Sequence, residues 1–249
     1  MRALLTVCYL LVALGAHAAE RVLDFHSDIR IAADGELAVT ERISVQAEGR
    51  EIRRGILRDF PAGFEVWRVT RNGQPETFAV ERLPHGARVH IGSADVALGL
   101  GVHTYEIAYR AKRQLGFFDE HDELHWNVNG NGWTFAFDRL SAEVTLPAAV
   151  PAASLKAEAY TGPQGAQGRD YRAFTRDGAA AFRATRALAP GEGMTIVLSF
   201  PKGIVAPPSW QQRAREFLAD NKGVLAGSIG LLALLLFLWR RAGGFISGS

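Results

Sequence analysis

The stretch IRIAADGELAVTERISV, residues 29–45, decides the fold class. Apolar and polar residues alternate on both sides of Asp34-Gly35, a dipeptide typical of tight turns between paired strands. Alternation with a period of two places one set of side chains on a buried face. The sequence therefore predicts a β-hairpin here. The apolar residues of its buried row are Ile29, Ile31, Leu37, Val39, Ile43 and Val45.

The same alternation recurs as far as about residue 200, and turn residues fall between most of the segments. That spacing is typical of an all-β antiparallel sandwich, which we assign to residues 19–206. Two smaller sandwiches divided near Lys112–Asp119 are the alternative, and Gly162–Gly168 is predicted to be a long hairpin loop. The further strand candidates are Trp67–Val69, Phe78–Val80, Val89–Ile91, Tyr105–Tyr109, Leu124–Val128, Val144–Leu146, Tyr171–Phe174, Ala180–Ala184 and Met194–Phe200.

The amino-terminal segment, residues 1–18, has the features of a secretory signal peptide. Arg2 precedes an almost wholly apolar run, and Ala16-His17-Ala18 supplies small residues before a cleavage site at Ala19. The run is shorter than the roughly 20 residues that cross a bilayer. We therefore predict cleavage and export, and an uncleaved anchor is the alternative.

A second apolar run, residues 223–239, carries no charge and predicts one transmembrane helix. Lys222 and Arg240 flank it and can extend toward the two interfaces. A buried core helix is the alternative. Export of the amino-terminal side would leave residues 240–249 as a short cytoplasmic tail. The protein is thus expected in the inner or plasma membrane, single-pass, with its main domain periplasmic or extracellular.

Residues 207–222 are predicted to form a juxtamembrane linker or short helix. Ser209 and Gln212 have the spacing of a capping box that starts a helix. Trp210, Phe217 and Leu218 then fall on one helical face. The helix either lies at the membrane surface or forms the first turns of one continuous membrane-spanning helix.

The composition excludes several classes of function. The only cysteine, Cys8, lies in the predicted signal peptide, so the mature chain would have no disulfide and no thiol nucleophile. The formal net charge of +2, without a basic stripe, gives no sign of nucleic-acid binding. No Gly-x-Ser-x-Gly surround and no phosphate-binding glycine loop is present. No cofactor and no catalytic activity are therefore expected.

Glu41 is the one charged residue in the buried row of the hairpin. A carboxylate in such a position is costly unless it is paired. Arg54 and Arg58 follow closely in the chain and are its natural partners. Glu41, Arg54 and Arg58 are therefore candidate binding residues, and a structural ion pair is the preferred interpretation.

The segment His121–His125 nearly matches the His-Glu-x-x-His motif of zinc proteases, but Asp122 replaces the general base. As a strand, it places His121, Glu123 and His125 on one face, about 6.6 Å apart in succession. These three are candidate metal ligands of a metal-dependent envelope hydrolase. A polar solvent face opposite buried Leu124 and Trp126 is the alternative.

Two tryptophans and three asparagines surround a glycine turn in residues 126–133. Indole rings and amides together can stack on and hydrogen-bond a sugar. The alternative makes the tryptophans core anchors and the asparagines turn residues. The candidate binding residues of this segment are Trp126, Asn127, Asn129 and Trp133.

Several of these motifs together resemble the YciQ-like group of predicted bacterial membrane proteins, the domain-of-unknown-function 2207 family. The resemblance covers roughly Arg21 to Phe200 and the apolar run that follows. It implies an exported β-rich domain tethered by a helix, with no established activity. The motifs are Asp34-Gly35, Val39–Ile43, Arg54–Pro61, Tyr105-x-Ile107-x-Tyr109, Glu123–Val128, Gly130-x-Gly132-Trp133 and Leu146-Pro147.

Members of that family usually continue past the first span with a cytoplasmic region, more membrane helices and a glycine-rich tail. This chain is therefore expected to be a truncated or short variant, lacking any function located there. The expected function is a binding or assembly module of the cell envelope, with an envelope protein or a glycan as partner. A glycan-binding module and a metal-dependent hydrolase are the alternatives.

Overall fold

The computed structural model describes residues 19–61, 63–83 and 86–243. The predicted signal peptide and residues 244–249 of the predicted tail lie outside the described residues. The chain divides into two compact units, Met1–Val205 and Ala206–Ser249.

In the described part of the first unit, nearly all the regular secondary structure is β-strand, as the alternation predicts. The strands within the described ranges are β1 Arg21–Ile31, β2 Leu37–Ala47, β3 Ile56–Pro61, β4 Phe64–Arg71, β5 Gln74–Pro75, β6 Phe78–Leu83, β7 Gly86–Ile91, β8 Gly101–Ala111, β9 Leu115–Phe117, β10 His121–Asn127, β11 Leu140–Thr145, β12 Lys156–Gly162, β13 Tyr171–Arg176, β14 Ala179–Ala184 and β15 Gly193–Pro201.

The predicted hairpin is present as β1 and β2. The turn between them uses a positive φ of 82° at Gly35, a conformation that glycine adopts without a steric penalty. β2 alternates between buried and less buried residues along its whole length. Hydrophobic burial of that one face fixes the register in which β2 pairs with β1 and β8.

The strands form three sheets, of eight, four and three strands. Their orders are β13-β14-β11-β1-β2-β8-β4-β5, β12-β15-β10-β9 and β3-β7-β6. One cluster of buried apolar side chains includes residues from all three sheets. The β-rich class is therefore confirmed, with most strand pairs antiparallel.

A purely antiparallel arrangement was the wrong expectation, because β1 and β11 pair in parallel. β10 belongs to the four-stranded sheet and β11 to the eight-stranded sheet, so the chain crosses between sheets through residues 128–139. After that crossing, β11 can lie beside β1 in either direction. A period of two specifies which side chains are buried but not the direction of the neighbouring strand.

The segment Gly162–Gly168, predicted to be a long hairpin loop, begins and ends at an antiparallel bridge, as such a loop does. It follows β12, in the four-stranded sheet, and leads to β13, in the eight-stranded sheet. A single bridge between Thr161 and Gly168 closes it. The segment is thus a connection between two sheets.

The described part of the second unit, residues 206–243, contains two helices, α1 Trp210–Asp220 and α2 Lys222–Gly243. The predicted capping box is present at the start of α1: Ser209 Oγ accepts a hydrogen bond from the Gln212 backbone N–H at 3.2 Å, and Gln212 Oε1 accepts one from the Ser209 backbone N–H at 2.8 Å. Asn221 separates the helices, so α1 is a short helix of its own.

In the parts of the chain that the structure describes, no helix is long and apolar enough to cross a membrane. The predicted span, residues 223–239, falls within α2 and stays a prediction.

Candidate functional site

A buried ion pair lies at the centre of the first unit. Glu41, on β2, is fully buried, and Arg58, on β3, is only 4% exposed. Arg58 Nη2 donates to Glu41 Oε1 at 2.7 Å and Arg58 Nε donates to Glu41 Oε2 at 2.8 Å. Such two-point pairing is the strongest geometry that an arginine and a carboxylate adopt. Of the two arginines predicted as partners for Glu41, Arg58 is the one that pairs.

Tyr109, on β8, completes this pair as a third member. Its hydroxyl donates to Glu41 Oε1 at 2.7 Å. The Arg58 guanidinium also lies over the rings of Phe25 and Phe60, 5.6 and 4.9 Å from their centroids. We call Glu41, Arg58 and Tyr109 the buried triad.

Two members of the buried triad have shifted pKa values. Burial alone would lower the pKa of Arg58, but the charge and hydrogen bonds of Glu41, with smaller contributions from Tyr109 and Asp59, together outweigh burial and raise that pKa above its usual value. Burial, reinforced by the Glu41 charge, raises the pKa of Tyr109 well above its usual range. Arg58 therefore stays charged and Tyr109 stays protonated at neutral pH, and both donate hydrogen bonds to Glu41.

Arg58 also holds the segment that follows β10. Its Nη2 donates to the Val128 carbonyl at 3.0 Å and its Nη1 to the Asn129 carbonyl at 2.9 Å. The same Asn129 carbonyl accepts the Trp133 indole N–H at 2.7 Å. One arginine thereby links the charge of Glu41 to the backbone of residues 128–129.

Asn129 fixes this segment from its other side. It is fully buried, its Oδ1 accepts the Met194 backbone N–H at 3.0 Å, and its Nδ2 donates to the Glu192 carbonyl at 3.2 Å. A buried amide with its hydrogen-bonding groups satisfied is rigid and costly to disturb. Asn129, singled out from the sequence as a binding residue, therefore positions the segment.

A cavity of about 390 Å³, which we call the cleft, opens between β3 and this segment. Its walls are residues 55–59 and residues 129–135, with Glu51, Ile52 and Arg88 completing the lining. A cavity over the face of a strand is lined by alternate residues. Because residues 55–59 all line this one, the cleft runs along the edge of β3, which pairs only with β7 in the three-stranded sheet.

Ion pairs and hydrogen bonds engage the acidic groups at the rim of the cleft. Arg88 donates to both carboxylate oxygens of Asp59, at 2.7 and 2.8 Å. This hydrogen bonding outweighs partial burial and holds the pKa of Asp59 below its usual range. Glu51 Oε2 accepts the Thr134 hydroxyl at 3.0 Å. At the rim, Asp59 is thus neutralised by Arg88, whereas Glu51 accepts a hydrogen bond from an uncharged hydroxyl.

A carboxylate outside the cleft holds the loop that carries Glu51. Glu20 accepts backbone N–H groups of residues 48, 50, 51 and 52, at 2.7 to 3.3 Å. Partial burial alone would raise the pKa of Glu20, but these N–H donors outweigh it and lower that pKa below its usual value. We call this set of bonds the Glu20 latch.

Arg54 lies apart from the buried triad. It lines a second cavity of about 600 Å³ together with Arg53, His90 and Gly92. The second cavity shares Glu51 and residues 55–57 with the cleft. Arg54 therefore lies next to the cleft but does not line it.

The two tryptophans singled out from the sequence are both buried. Trp126 stacks on Tyr109 with ring centroids 6.5 Å apart, in the core beneath the buried triad. Trp133 lines the cleft but packs edge-on against Phe25 and Phe137. Asn127 is exposed, and its Oδ1 accepts the Gly130 backbone N–H at 3.0 Å, as a turn residue does. These placements match core anchors and turn residues.

The histidine cluster lies on the outer face of β10. His121 Nε2 is 3.6 Å from Glu123 Oε2, and the Ser199 hydroxyl donates to that oxygen at 3.0 Å. His125 is exposed. Among the described residues, no group of three histidine, cysteine or acidic side chains is arranged to hold a metal ion.

Sequence reasoning missed Tyr109 and the Glu20 latch. Tyr109 shares its parity with Ile107 on β8, so the alternation places it inward, but nothing in the sequence directs its hydroxyl to Glu41. Glu20 and its loop are separated by about thirty residues. A carboxylate that accepts backbone N–H groups leaves no side-chain pattern to detect.

Among solved structures, yeast LTA4 hydrolase in complex with bestatin is similar with a TM-score of 0.49, 11% identity and coverage of 71% of this chain and 28% of that chain. The M1 zinc metallopeptidase from Deinococcus radiodurans is similar with a TM-score of 0.42 and 15% identity, covering 71% of this chain and 42% of that chain.

The uncharacterized protein YciQ of Escherichia coli (strain K12) is 25% identical over 237 residues. The match covers 87% of this chain, and this chain spans 37% of the length of YciQ. The family described as predicted membrane protein (DUF2207) N-terminal domain matches residues 21–200. This confirms the resemblance found in the sequence motifs, and the chain belongs to that family of predicted membrane proteins.

Proposed function

We propose that this chain is a membrane-anchored, extracytoplasmic β domain that binds a component of the cell envelope in the cleft. The observation that carries the proposal is the buried triad, which fixes both walls of the cleft through one arginine. A site with walls held in advance loses little conformational freedom on binding.

The proposed membrane anchoring rests on the sequence of residues 223–239 and not on the described helix α2, which does not by itself reach the length and hydropathy of a membrane-spanning helix. Residues 223–239 carry no charge, and Lys222 and Arg240 flank them. Exposed leucines along the helix, Leu231 and Leu235 among them, suit a lipid environment. Single-pass insertion would leave residues 240–249 in the cytoplasm.

Export of residues 19–222 is supported by the signal-peptide features of residues 1–18. An inner or plasma membrane location follows, with the β domain in the periplasm or outside the cell. The partners we propose are the lipid bilayer and one envelope component. Nucleic acid is not among them.

Binding is favoured over catalysis by the state of the charged groups in the cleft. Within the described lining, Arg58 is paired with Glu41, Asp59 with Arg88, and Glu51 with Thr134. General acid–base chemistry needs a group poised to exchange a proton near the working pH. These groups are committed to structural bonds, so we assign no catalytic step to them.

The ligand we favour is an extended, largely uncharged segment of an envelope protein. The edge of β3 offers backbone groups to an added strand, a common mode of peptide recognition. The exposed Leu57 offers apolar contact beside it. A glycan is less favoured, since buried Trp133 presents little open ring face for stacking.

A crosslinking experiment in intact cells tests this function. A photo-crosslinking amino acid at Leu57 should give a discrete adduct with one envelope protein. The same amino acid at Phe174, an exposed residue of β13 that does not line the cleft, should not give that adduct.

A matched pair of glycine variants supplies the control. A Cβ at Gly132 would lie 3.5 Å from Asp59 Oδ2, so Gly132→Leu extends into the cleft, whereas the surroundings of Gly99 are open. The Leu57 adduct should disappear in Gly132→Leu and persist in Gly99→Leu. Equal adducts at Leu57 and Phe174, an adduct unaffected by Gly132→Leu, or no adduct would each overturn the proposal.

A further inference from the structure

Helix α1 exposes an apolar face that nothing in its own unit covers. Trp210, Phe217 and Leu218 are between 54% and 69% exposed, and no residue of α1 is buried. At about 100° per residue, these three and Ala214 lie within roughly a third of the helix circumference. Arg215 and Ala219 lie on the opposite side. The helix is thus amphipathic, with its apolar face open.

Asn221 ends α1 and separates it from α2. Its backbone N–H and its side-chain Nδ2 both donate to the Phe217 carbonyl, at 3.0 and 2.8 Å. Its φ and ψ of −107° and 12° depart from helical values. The helical backbone is thus interrupted at Asn221, between α1 and α2.

We infer that α1 lies in the bilayer interface, with Trp210, Phe217 and Leu218 inserted among the lipid headgroups. The inference rests on the proposed anchoring of α2. If α2 enters the hydrocarbon at Gly223, every residue of the 11-residue α1 lies within about 20 Å of the boundary along the chain. An open apolar face so close to a bilayer gains stability by entering it.

Lipid is favoured as the occupant by the charges of α1 as well. Arg213 and Arg215 are balanced by Glu216 and Asp220, so the helix has no net charge to attract an acidic partner. Insertion should depend on apolar area and hardly on ionic strength. Tryptophan, moreover, favours the headgroup region.

Spin labels at single cysteines test this placement, in the full chain reconstituted into phosphatidylcholine nanodiscs. Cys8→Ser removes the one native cysteine, and labels are placed through Leu218→Cys, Ala219→Cys or Leu235→Cys. Leu218 and Ala219 are neighbours about 100° apart around α1, and they lie about 50° and about 150° from the centre of its apolar face. Their collision rates with oxygen, which partitions into lipid, and with a water-soluble nickel complex report depth.

We expect the Leu218→Cys label at headgroup depth, the Ala219→Cys label in water and the Leu235→Cys label deep in the hydrocarbon, unchanged between 50 mM and 500 mM salt. Water exposure at Leu218→Cys with a deep Leu235→Cys label would overturn this inference and leave the anchor intact. Water exposure at Leu235→Cys would overturn the anchor itself. Spin–spin broadening at Leu218→Cys that vanishes on dilution with unlabelled chain would assign the face to a second copy and overturn the lipid assignment.

Discussion

The buried triad and the cluster on the outer face of β10 each combine a carboxylate, a basic side chain and a hydroxyl, in different surroundings. In the triad, Glu41 accepts bonds from an arginine and a tyrosine hydroxyl, and its side chain is fully buried. In the outer cluster, Glu123 lies near a histidine and accepts a serine hydroxyl, and the side chains of His121 and Glu123 are 40% and 22% exposed. The difference arises because Glu41 lies on the buried face of its strand and Glu123 on the outer face of its strand. The comparison teaches that the burial of a cluster decides how much it contributes to the stability of the fold.

The largest effect is expected from Arg58→Ala. It leaves the Glu41 carboxylate buried without its counter-charge and the carbonyls of residues 128 and 129 without their donor. Breaking a buried ion pair from one side costs about 3–5 kcal/mol. The free energy of unfolding, measured with urea on the reconstituted chain, should fall by that amount.

The matched control for Arg58→Ala is Arg68→Ala, which removes an exposed arginine that donates to Glu106 at 2.7 Å. It should cost no more than about 1 kcal/mol. Equal effects of the two variants would contradict the assigned importance of burial.

The next largest loss of stability is expected from truncation of a buried tryptophan. Trp133→Ala empties a core position and removes the donor to the Asn129 carbonyl, so it should cost about 3–5 kcal/mol. Trp67→Ala, at an exposed position on β4, should cost less than about 1 kcal/mol. Thermal and urea unfolding of both variants check the pair. A stable Trp133→Ala protein that has lost sugar binding would instead support a glycan site.

The Glu20 latch should contribute an amount of stability between those of the two clusters, because its carboxylate is partly exposed but accepts several backbone N–H groups. The pKa of Glu20 is lower in the folded state than the usual 4.5. Its contribution is therefore fully present above about pH 4.5 and is lost as pH falls through the lower folded value. Glu20→Gln should cost on the order of 1 kcal/mol at pH 7.

Urea unfolding between pH 3 and pH 7 checks the latch. The difference in stability between the native chain and Glu20→Gln should shrink toward the acid end of that range. A difference that stays constant with pH would show that the Glu20 charge contributes nothing.

The smallest effect is expected from His121→Ala. His121 is exposed and lies 3.6 Å from Glu123, so the pair is weak and solvent-screened. The stability should change by no more than about 0.5 kcal/mol at pH 7. Addition of zinc to the native chain should leave the melting temperature unchanged. A rise with zinc that His121→Ala abolishes would revive the metal hypothesis.

Strand parity allowed part of the fold and of the site to be predicted from the sequence. The alternation placed the apolar row from Leu37 to Val45, and Glu41 within it, on the buried face. A buried carboxylate requires a nearby cation, and in the structure that cation is Arg58. Parity could not supply the parallel pairing of β1 and β11, because hydrophobic alternation is the same for either direction. The strand β3 was missed because its arginine hides the alternation of Ile56, Arg58 and Phe60.

The cleft illustrates the limit of sequence reasoning. Residues of both walls were predicted separately from the sequence. Arg58 was predicted as a partner for Glu41, and Asn129 and Trp133 as binding residues of a segment rich in amides and indoles. About seventy residues separate them in the chain. Only the crossing from β10 to β11 brings them together, and no local pattern encodes that crossing.

The proposed topology places the β domain outside the cytoplasm, held by α2. Labelling of single cysteines in spheroplasts with a membrane-impermeant maleimide tests it most directly, in a Cys8→Ser background. Gln164→Cys, in an exposed loop, should react in intact spheroplasts, and Ser247→Cys only after lysis. Protection of Gln164→Cys until the membrane is dissolved would contradict this topology.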